Sequence, residues 1–235
     1  MKILAIDSSG MTATVAVLED DKLLAEYTIN YKKTHSQTLV PMLDEIKKMT
    51  ELDLESLDAI AVAKGPGSFT GLRIGSATAK GLGLALDKPI VPVSTLEGLA
   101  MNAWGWDKLV CPIMDARRDQ VYTGIYRFEG GSLKTVMEGR AESVDDLIGQ
   151  LNELDEEVLF LGDGVPVFKD TIDAGLKPVH EYAPAHMSRQ RAGALAVLAA
   201  EYYSQGLTES AADHRPEYLR PSQAERVKAE RENEN

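Results

Sequence analysis

Hydrophobic positions along this chain change period repeatedly, and the changes mark out alternating strands and helices. Ile3–Ile6 is a continuous apolar run that stops at Asp7, the pattern of a short buried strand. Thr12–Leu18 and Leu23–Ile29 follow as two further strands around the polar turn Glu19-Asp20-Asp21-Lys22. Leu39, Met42, Leu43, Ile46 and Met49 then recur at helical spacing. Pro41 has no amide donor, so this helix is expected to start late or to bend there. Next come the apolar run Ala59–Ala63, a glycine-rich loop with a helix behind it, the short strand Ile90–Val93 and a helix from about Ser94.

The second half repeats this order. Val110–Met114 is a strand ending at Asp115, and Val121–Phe128 and Leu133–Met137 form a hairpin about Glu129-Gly130-Gly131-Ser132. A helix capped by Ser143 leads to the strand Val158–Leu161. The last long helix is expected from about Ser188 to Tyr203, with Ala192, Leu195, Ala196, Ala199 and Tyr202 on one stripe. Each half is therefore strand-Asp, hairpin, helix, strand, helix, a duplication of topology. With Ala103-Trp104-Gly105-Trp106-Asp107 as the hinge, the expected units are residues 1–104 and 105–222, followed by a charged, disordered tail over 223–235. Before that tail, Tyr218 and Leu219 sit among arginines and prolines, a segment expected to dock on its own body or on a partner.

The loop after Ala59–Ala63 reads Gly65-Pro66-Gly67-Ser68-Phe69-Thr70-Gly71-Leu72-Arg73-Ile74-Gly75. Glycines allow a sharp turn, Ser68 or Thr70 can cap the helix, and a helix N-terminus favours an anion. The spacing is neither the dinucleotide fingerprint nor a P-loop, so a plain strand-to-helix turn is an equal reading. Ser68 is not a nucleophile: its segment has no histidine and is not a hydrolase elbow. Gly71, Gly75, Ala79 and Gly83 recur every four residues along one face. Interior glycines cost about 1 kcal/mol each relative to alanine, so close approach of a second backbone is expected, either the domain's own or another subunit's.

Composition narrows the function. With 37 acidic and 25 basic side chains the net charge is −12, which repels a nucleic acid backbone. The single cysteine, Cys111, lies in an apolar strand and reads as a buried bystander. No run approaches the ~18 apolar residues of a membrane span, and Asp7 interrupts the N-terminal run too early for a signal peptide, so a soluble cytoplasmic protein is expected. His35, His180, His186 and His214 show no ligand spacing, and no metal site is read.

A family resemblance emerges from Ile6-Asp7-Ser8-Ser9, His35-Ser36-Gln37 with Leu39 and Pro41, Lys64 through Gly75, Pro92 through Glu97, Asp115-Ala116-Arg117-Arg118 with Val121-Tyr122, and Tyr218-Leu219-Arg220. Together these segments resemble the TsaB family, the non-catalytic partners in bacterial synthesis of threonylcarbamoyladenosine in tRNA. The resemblance implies an α/β chain with a duplicated ribonuclease-H-like (actin-like ATPase) fold, two domains each with a mixed sheet flanked by helices. It implies pairing with a TsaD-type transferase acting on tRNAs that read codons beginning with A, a TsaE-type ATPase, contact with tRNA only through the complex, and a homodimer when partners are absent. The catalytic relatives bind metal through a helical His-x-x-x-His. The equivalent positions here are Thr95 and Leu99, so neither metal nor catalytic residues carry over.

The superfamily's glycine-rich phosphate loops are replaced by Asp7-Ser8-Ser9-Gly10 and Asp115-Ala116-Arg117-Arg118-Asp119. Candidate anion or nucleotide contacts are Asp7, Gly65, Gly67, Ser68, Thr70, Arg117 and Arg118. No cofactor is expected to bind tightly, with ATP or ADP reserved for a subunit interface of the complex. Asp7 reads better as a strand-end carboxylate accepting hydrogen bonds from the adjacent turn than as a water-mediated Mg²⁺ ligand. Arg117 and Arg118 read either as an anion clamp or as solvated ion pairs. The partner and dimer surface is expected on the two N-terminal helices, through Leu39, Leu43, Ile46, Leu72, Arg73, Gly75 and Ala79. An autonomous ATP-dependent kinase or ATPase is the competing function.

Overall fold

The computed structural model describes residues 1–220, so the disorder expected for 223–235 lies outside the described residues. Two five-stranded sheets share one plan. In the first, β1 (Lys2–Asp7), β2 (Ala13–Glu19), β3 (Lys22–Ile29), β4 (Ala59–Gly65) and β5 (Ile90–Ser94) lie in the order β3-β2-β1-β4-β5. The second contains β6 (Leu109–Arg117), β7 (Gln120–Glu129), β8 (Ser132–Ser143), β9 (Val158–Leu161) and β10 (His180–Tyr182), ordered β10-β9-β6-β7-β8. Each is an antiparallel meander followed by parallel strands, so the duplication expected from the sequence is present as a repeated ribonuclease-H-like α/β fold.

The continuous apolar runs have a simple cause: β1 and β4 are covered on both faces. Leu4, Ile6 and Val62 face α1 (His35–Met49) and α2 (Phe69–Leu86), where they meet Leu39, Met42, Ile46 and Ala79. Ile3, Ala5 and Ala61 point to the opposite face and meet Leu195, Ala196 and Ala199 of α6 (Ala192–Ser204). In the second sheet, α4 (Val144–Leu154) and α5 (Val165–Gly175) cover one face. Leu96, Leu99 and Ala100 of α3 (Thr95–Ala100) cover the other.

This arrangement corrects the expected division of the chain. The last helix lies late in the sequence but packs on the first sheet, which also supplies its caps. Ala192 N–H donates to Thr14 Oγ1 at 3.1 Å and Gly193 N–H to Glu26 Oε1 at 3.0 Å. Alanines and Gly193 let the helix lie close to the strands, and α3 and α6 touch where Gly98 meets Leu195. The segment after α6 also returns to the first sheet: Glu209 bridges Ile90, and Ala211 enters the first core beside Gly83.

Several boundaries also differ from expectation. α1 begins at His35 and continues through Pro41 rather than starting after it. α6 begins at Ala192, because Ser188–Arg191 runs without helix. The hydrophobic pattern alone does not single out α5 or the three-residue β10. Cys111 is fully buried against Thr123, and burial pushes its thiol up to about 12. Among the described residues, no helix is long and apolar enough to cross a membrane.

Candidate functional site

The glycine-rich loop begins where β4 ends. Gly65 has φ +126°, Pro66 follows in cis, and Ser68 caps α2 by accepting from Gly71 N–H at 3.3 Å. Thr70 is exposed in the first turn and is not the cap. The glycine face turns inward. A Cβ on Gly67 would strike the Ser9 carbonyl oxygen, and one on Gly71 the Ser8 carbonyl oxygen, well inside van der Waals contact. One on Gly75 would lie 2.5 Å from Ser8 Oγ. Ser8 Oγ–H donates to Gly71 carbonyl at 2.9 Å and Ser68 N–H to Ser9 carbonyl at 2.6 Å, binding the turn after β1 to α2. The second backbone that these glycines admit is therefore the chain's own.

That finding overturns most of the expected interface. Leu39, Ile46, Leu72 and Ala79 are core residues, each at most 4% exposed, and Gly75 is buried beside them. Periodicity had located the apolar stripe without saying which side of it met the sheet. Leu43 is half-buried and Arg73 is exposed. Between α1 and α2 lies an apolar groove of about 440 Å³ lined by Val40, Leu43, Leu54, Ala77, Thr78 and Gly81. Val40 and Leu84 are well exposed beside it, and a Cβ on Gly81 would meet nothing within 4 Å. On the outward side Arg73, Ala77 and Gly81 follow the same four-residue spacing as the inward stripe, and the small pair Ala77 and Gly81 is visible in the sequence.

Asp7 is buried at 2% exposure, and its Oδ1 accepts from Ser9 N–H at 2.8 Å and Ser9 Oγ–H at 2.6 Å. This is the strand-end role favoured by the sequence. Burial raises its carboxyl to about 6, against the lowering effect of the two Ser9 hydrogen bonds. His35 opens α1 with Nε2 2.8 Å from Gly10 carbonyl, tying the helix to the same turn.

Between the two sheets, a cleft of about 340 Å³ is lined by Ser9, Gly67, Ser68, Asp115, Arg117 and Asp163, among others. Gly67, Ser68 and Arg117 thus meet there. Asp7 lies behind Ser9, Gly65 borders a different cavity, and Arg118 is exposed outside the lining. Arg117, Arg118 and Asp119 all adopt positive φ in the β6–β7 turn, a strained run for residues with side chains. Asp115 holds the turn, accepting from Arg117 N–H at 2.7 Å and pairing with its guanidinium at 3.0 Å. Asp163, whose carboxyl is raised chiefly by burial, accepts from Asp115 N–H at 3.2 Å. Among the described residues, the cleft is lined by two carboxylates, Asp115 and Asp163, and by the Arg117 guanidinium that is already paired with Asp115.

The segment after α6 straps the site. Glu217 N–H donates to Lys64 carbonyl at 2.6 Å, and the Glu217 carboxylate pairs with Lys64 Nζ at 2.9 Å. Tyr218 stacks on Phe69 with ring centroids 4.5 Å apart. Arg73 lies 3.9 Å over the other ring system of that pair, Phe69, and donates from Nε to the Tyr218 hydroxyl at 3.3 Å. Arg220 Nη1 donates to Ala116 carbonyl in the second unit at 2.9 Å. Arg73, expected at an interface, is thus engaged by its own chain.

Comparison with known proteins agrees with this architecture. A family model described as TsaD: tRNA N6-adenosine threonylcarbamoyltransferase matches residues 22–228. The tRNA threonylcarbamoyladenosine biosynthesis protein TsaB of Bacillus subtilis is 40% identical over 228 residues, covering 96% of each chain. Its namesake from Escherichia coli is 29% identical over 224 residues, 94% of this chain and 95% of the other. The solved structure of YeaZ from Pseudomonas aeruginosa superposes with a TM-score of 0.81 at 27% identity, covering 93% of this chain and 99% of that one. With such identity sustained over nearly its whole length, and with the repeated sheet topology in place, the chain belongs to the TsaB family.

Proposed function

We propose that this protein acts in tRNA threonylcarbamoyladenosine biosynthesis as a non-catalytic assembly subunit, docking a TsaD-type transferase through the groove between α1 and α2. The observation that carries the docking surface is Gly81. It sits inside a helix, costs about 1 kcal/mol of helix stability relative to alanine, and has no neighbour among the described residues that requires it. A helix of another subunit can approach closely there, between the exposed Val40 and Leu84. A partner with the same duplicated fold fits this reading, since a pseudo-symmetric heterodimer reuses a surface that two copies of one chain can share.

Further support comes from charge. The net charge of −12 disfavours direct capture of tRNA, and the carboxylate-lined cleft disfavours a phosphate chain. Transfer chemistry then belongs to the partner, a TsaE-type ATPase completes the assembly, and any ATP or ADP binds where subunits meet. In the absence of partners the groove forms a homodimer.

Two substitutions at one position test the surface. Gly81→Ala should raise the unfolding free energy of the isolated chain by about 1 kcal/mol. Gly81→Trp should leave the chain folded by circular dichroism and lower affinity for a purified TsaD-type subunit by about 100-fold, the loss of a central hot spot. Undiminished binding by the folded tryptophan variant would place the interface elsewhere. ATP turnover by the isolated chain that disappears in Asp7→Asn would instead favour an autonomous ATPase.

A further inference from the structure

A second cavity, of about 140 Å³, lies on the Lys64–Pro66 side of the glycine-rich loop, between the first unit, the β7–β8 hairpin and the strap. Tyr126 projects from β7 into its wall. The residue is only 2% exposed and its ring is packed among Leu96, Leu99 and Met114, yet its hydroxyl makes no hydrogen bond among the described residues. Gly139 lines the cavity beside that hydroxyl, and a Cβ there would crowd Leu96 Cδ1 at 3.1 Å. The hydroxyl itself opens onto the cavity, where a ligand or a water can reach it.

The charges around Tyr126 indicate the ligand's sign. Glu97, Glu138 and Glu217 border the cavity, and among the described residues Lys64 is the only cationic side chain that does so. Lys64 is already paired with Glu217 at 2.9 Å, and among the described residues no other cation pairs with Glu97 or Glu138. Burial raises the Glu97 carboxyl, with the Tyr202 hydroxyl and Lys64 only partly opposing it. The described residues hold no cluster of three metal-ligating side chains, and the remaining wall includes the apolar Pro66 and Leu219. A compact ion needing a full shell of oxygens is poorly served by such walls, whereas an ammonium group on a short alkyl stem meets oxygen acceptors at one end and carbon at the other.

We propose that this cavity binds a small organic primary ammonium ion, held by Glu97 and Glu138 with the Tyr126 hydroxyl as a neutral acceptor. The strap closes the site through Glu217 and Leu219, so occupancy and strap docking favour each other.

Methylammonium chloride is the probe, titrated into the full-length chain and followed by amide NMR, with sodium chloride, potassium chloride and tetramethylammonium chloride at matched ionic strength as controls. Saturable shifts confined to residues around Lys64, Glu97 and Gly139, produced by methylammonium alone, are expected. Tyr126→Phe keeps the packed ring and Glu138→Gln alters an exposed side chain, so both variants should fold; each should weaken binding by about 10-fold, the value of one hydrogen bond to a charged group. No saturation by about 100 mM methylammonium, a weak millimolar limit, would overturn the proposal. Equal shifts from potassium or tetramethylammonium, or unchanged affinity in both variants, would also overturn it.

Discussion

Alanine at position 71 is expected to destabilise the protein by at least about 3 kcal/mol, whereas alanine at position 81 of the same helix stabilises it. Intrinsic propensity favours alanine at both sites, by about 1 kcal/mol at the interior position 81. The difference is the surroundings of the added methyl. At Gly71 it collides with the Ser8 carbonyl, a backbone atom held by the Ser8–Gly71 and Ser68–Ser9 hydrogen bonds, so relief requires moving α2 away from the turn after β1. At Gly81 it enters open space. Urea unfolding of the two variants beside the parent is the measurement, with midpoints displaced in opposite directions at similar slope. If Gly71→Ala were as stable as Gly81→Ala, the tight contact between the glycine face and Ser8–Ser9 would be wrong.

Asp7→Asn is expected to stabilise the protein at pH 8 by up to about 3 kcal/mol and to have little effect below pH 4. Burial lifts the folded-state carboxyl from 3.8 to about 6. The folded chain therefore binds the proton more tightly than the unfolded chain does. The resulting stabilisation is fully present below the unfolded value of 3.8 and is lost as pH rises through about 6. Above that, a buried anion is retained at a cost given by the difference of about two in pKa, roughly 3 kcal/mol. Asparagine keeps the Oδ1 acceptor for both Ser9 hydrogen bonds without the charge. Unfolding free energies of the two proteins between pH 4 and 8 should converge at the acid end and separate through about pH 6. A gap independent of pH would show that Asp7 does not titrate in this environment.

Much of the fold was legible because local pattern and tertiary role coincide in it. Ile3–Ile6 and Val158–Leu161 are continuous apolar runs because helices cover both faces of their sheets, and Ser143 caps α4 by accepting from Asp146 N–H as its position suggested. The repeated strand-Asp order gave the duplication. What remained hidden depends on relations between distant segments. Nothing in Ala192–Ser204 says that its alanine stripe will meet Ile3 and Ala61 rather than the neighbouring sheet. The direction of the glycine stripe was likewise undetermined until Ser8 and Ser9 appeared against it. Asp163 escaped notice as a lone carboxylate between two glycines, and it gains significance only where β6 brings Asp115 to it.

The placement of α6 also bears on how the protein is made. Synthesis delivers β1 through β5 first, with α1 and α2 available for one face of their sheet. The other face, lined by Ile3, Ala5, Ala61 and Val93, waits for a helix that ends at Ser204. From Ser94 to Ser204 is 110 further residues, roughly 5–20 s of elongation at typical bacterial to eukaryotic speeds. During that interval the nascent first unit presents an unpaired apolar sheet face, a natural ligand for ribosome-associated chaperones and a hazard for neighbouring nascent chains. Docking of that helix closes the first sheet and at the same time brings Leu195 against Gly98 of α3, which covers the second.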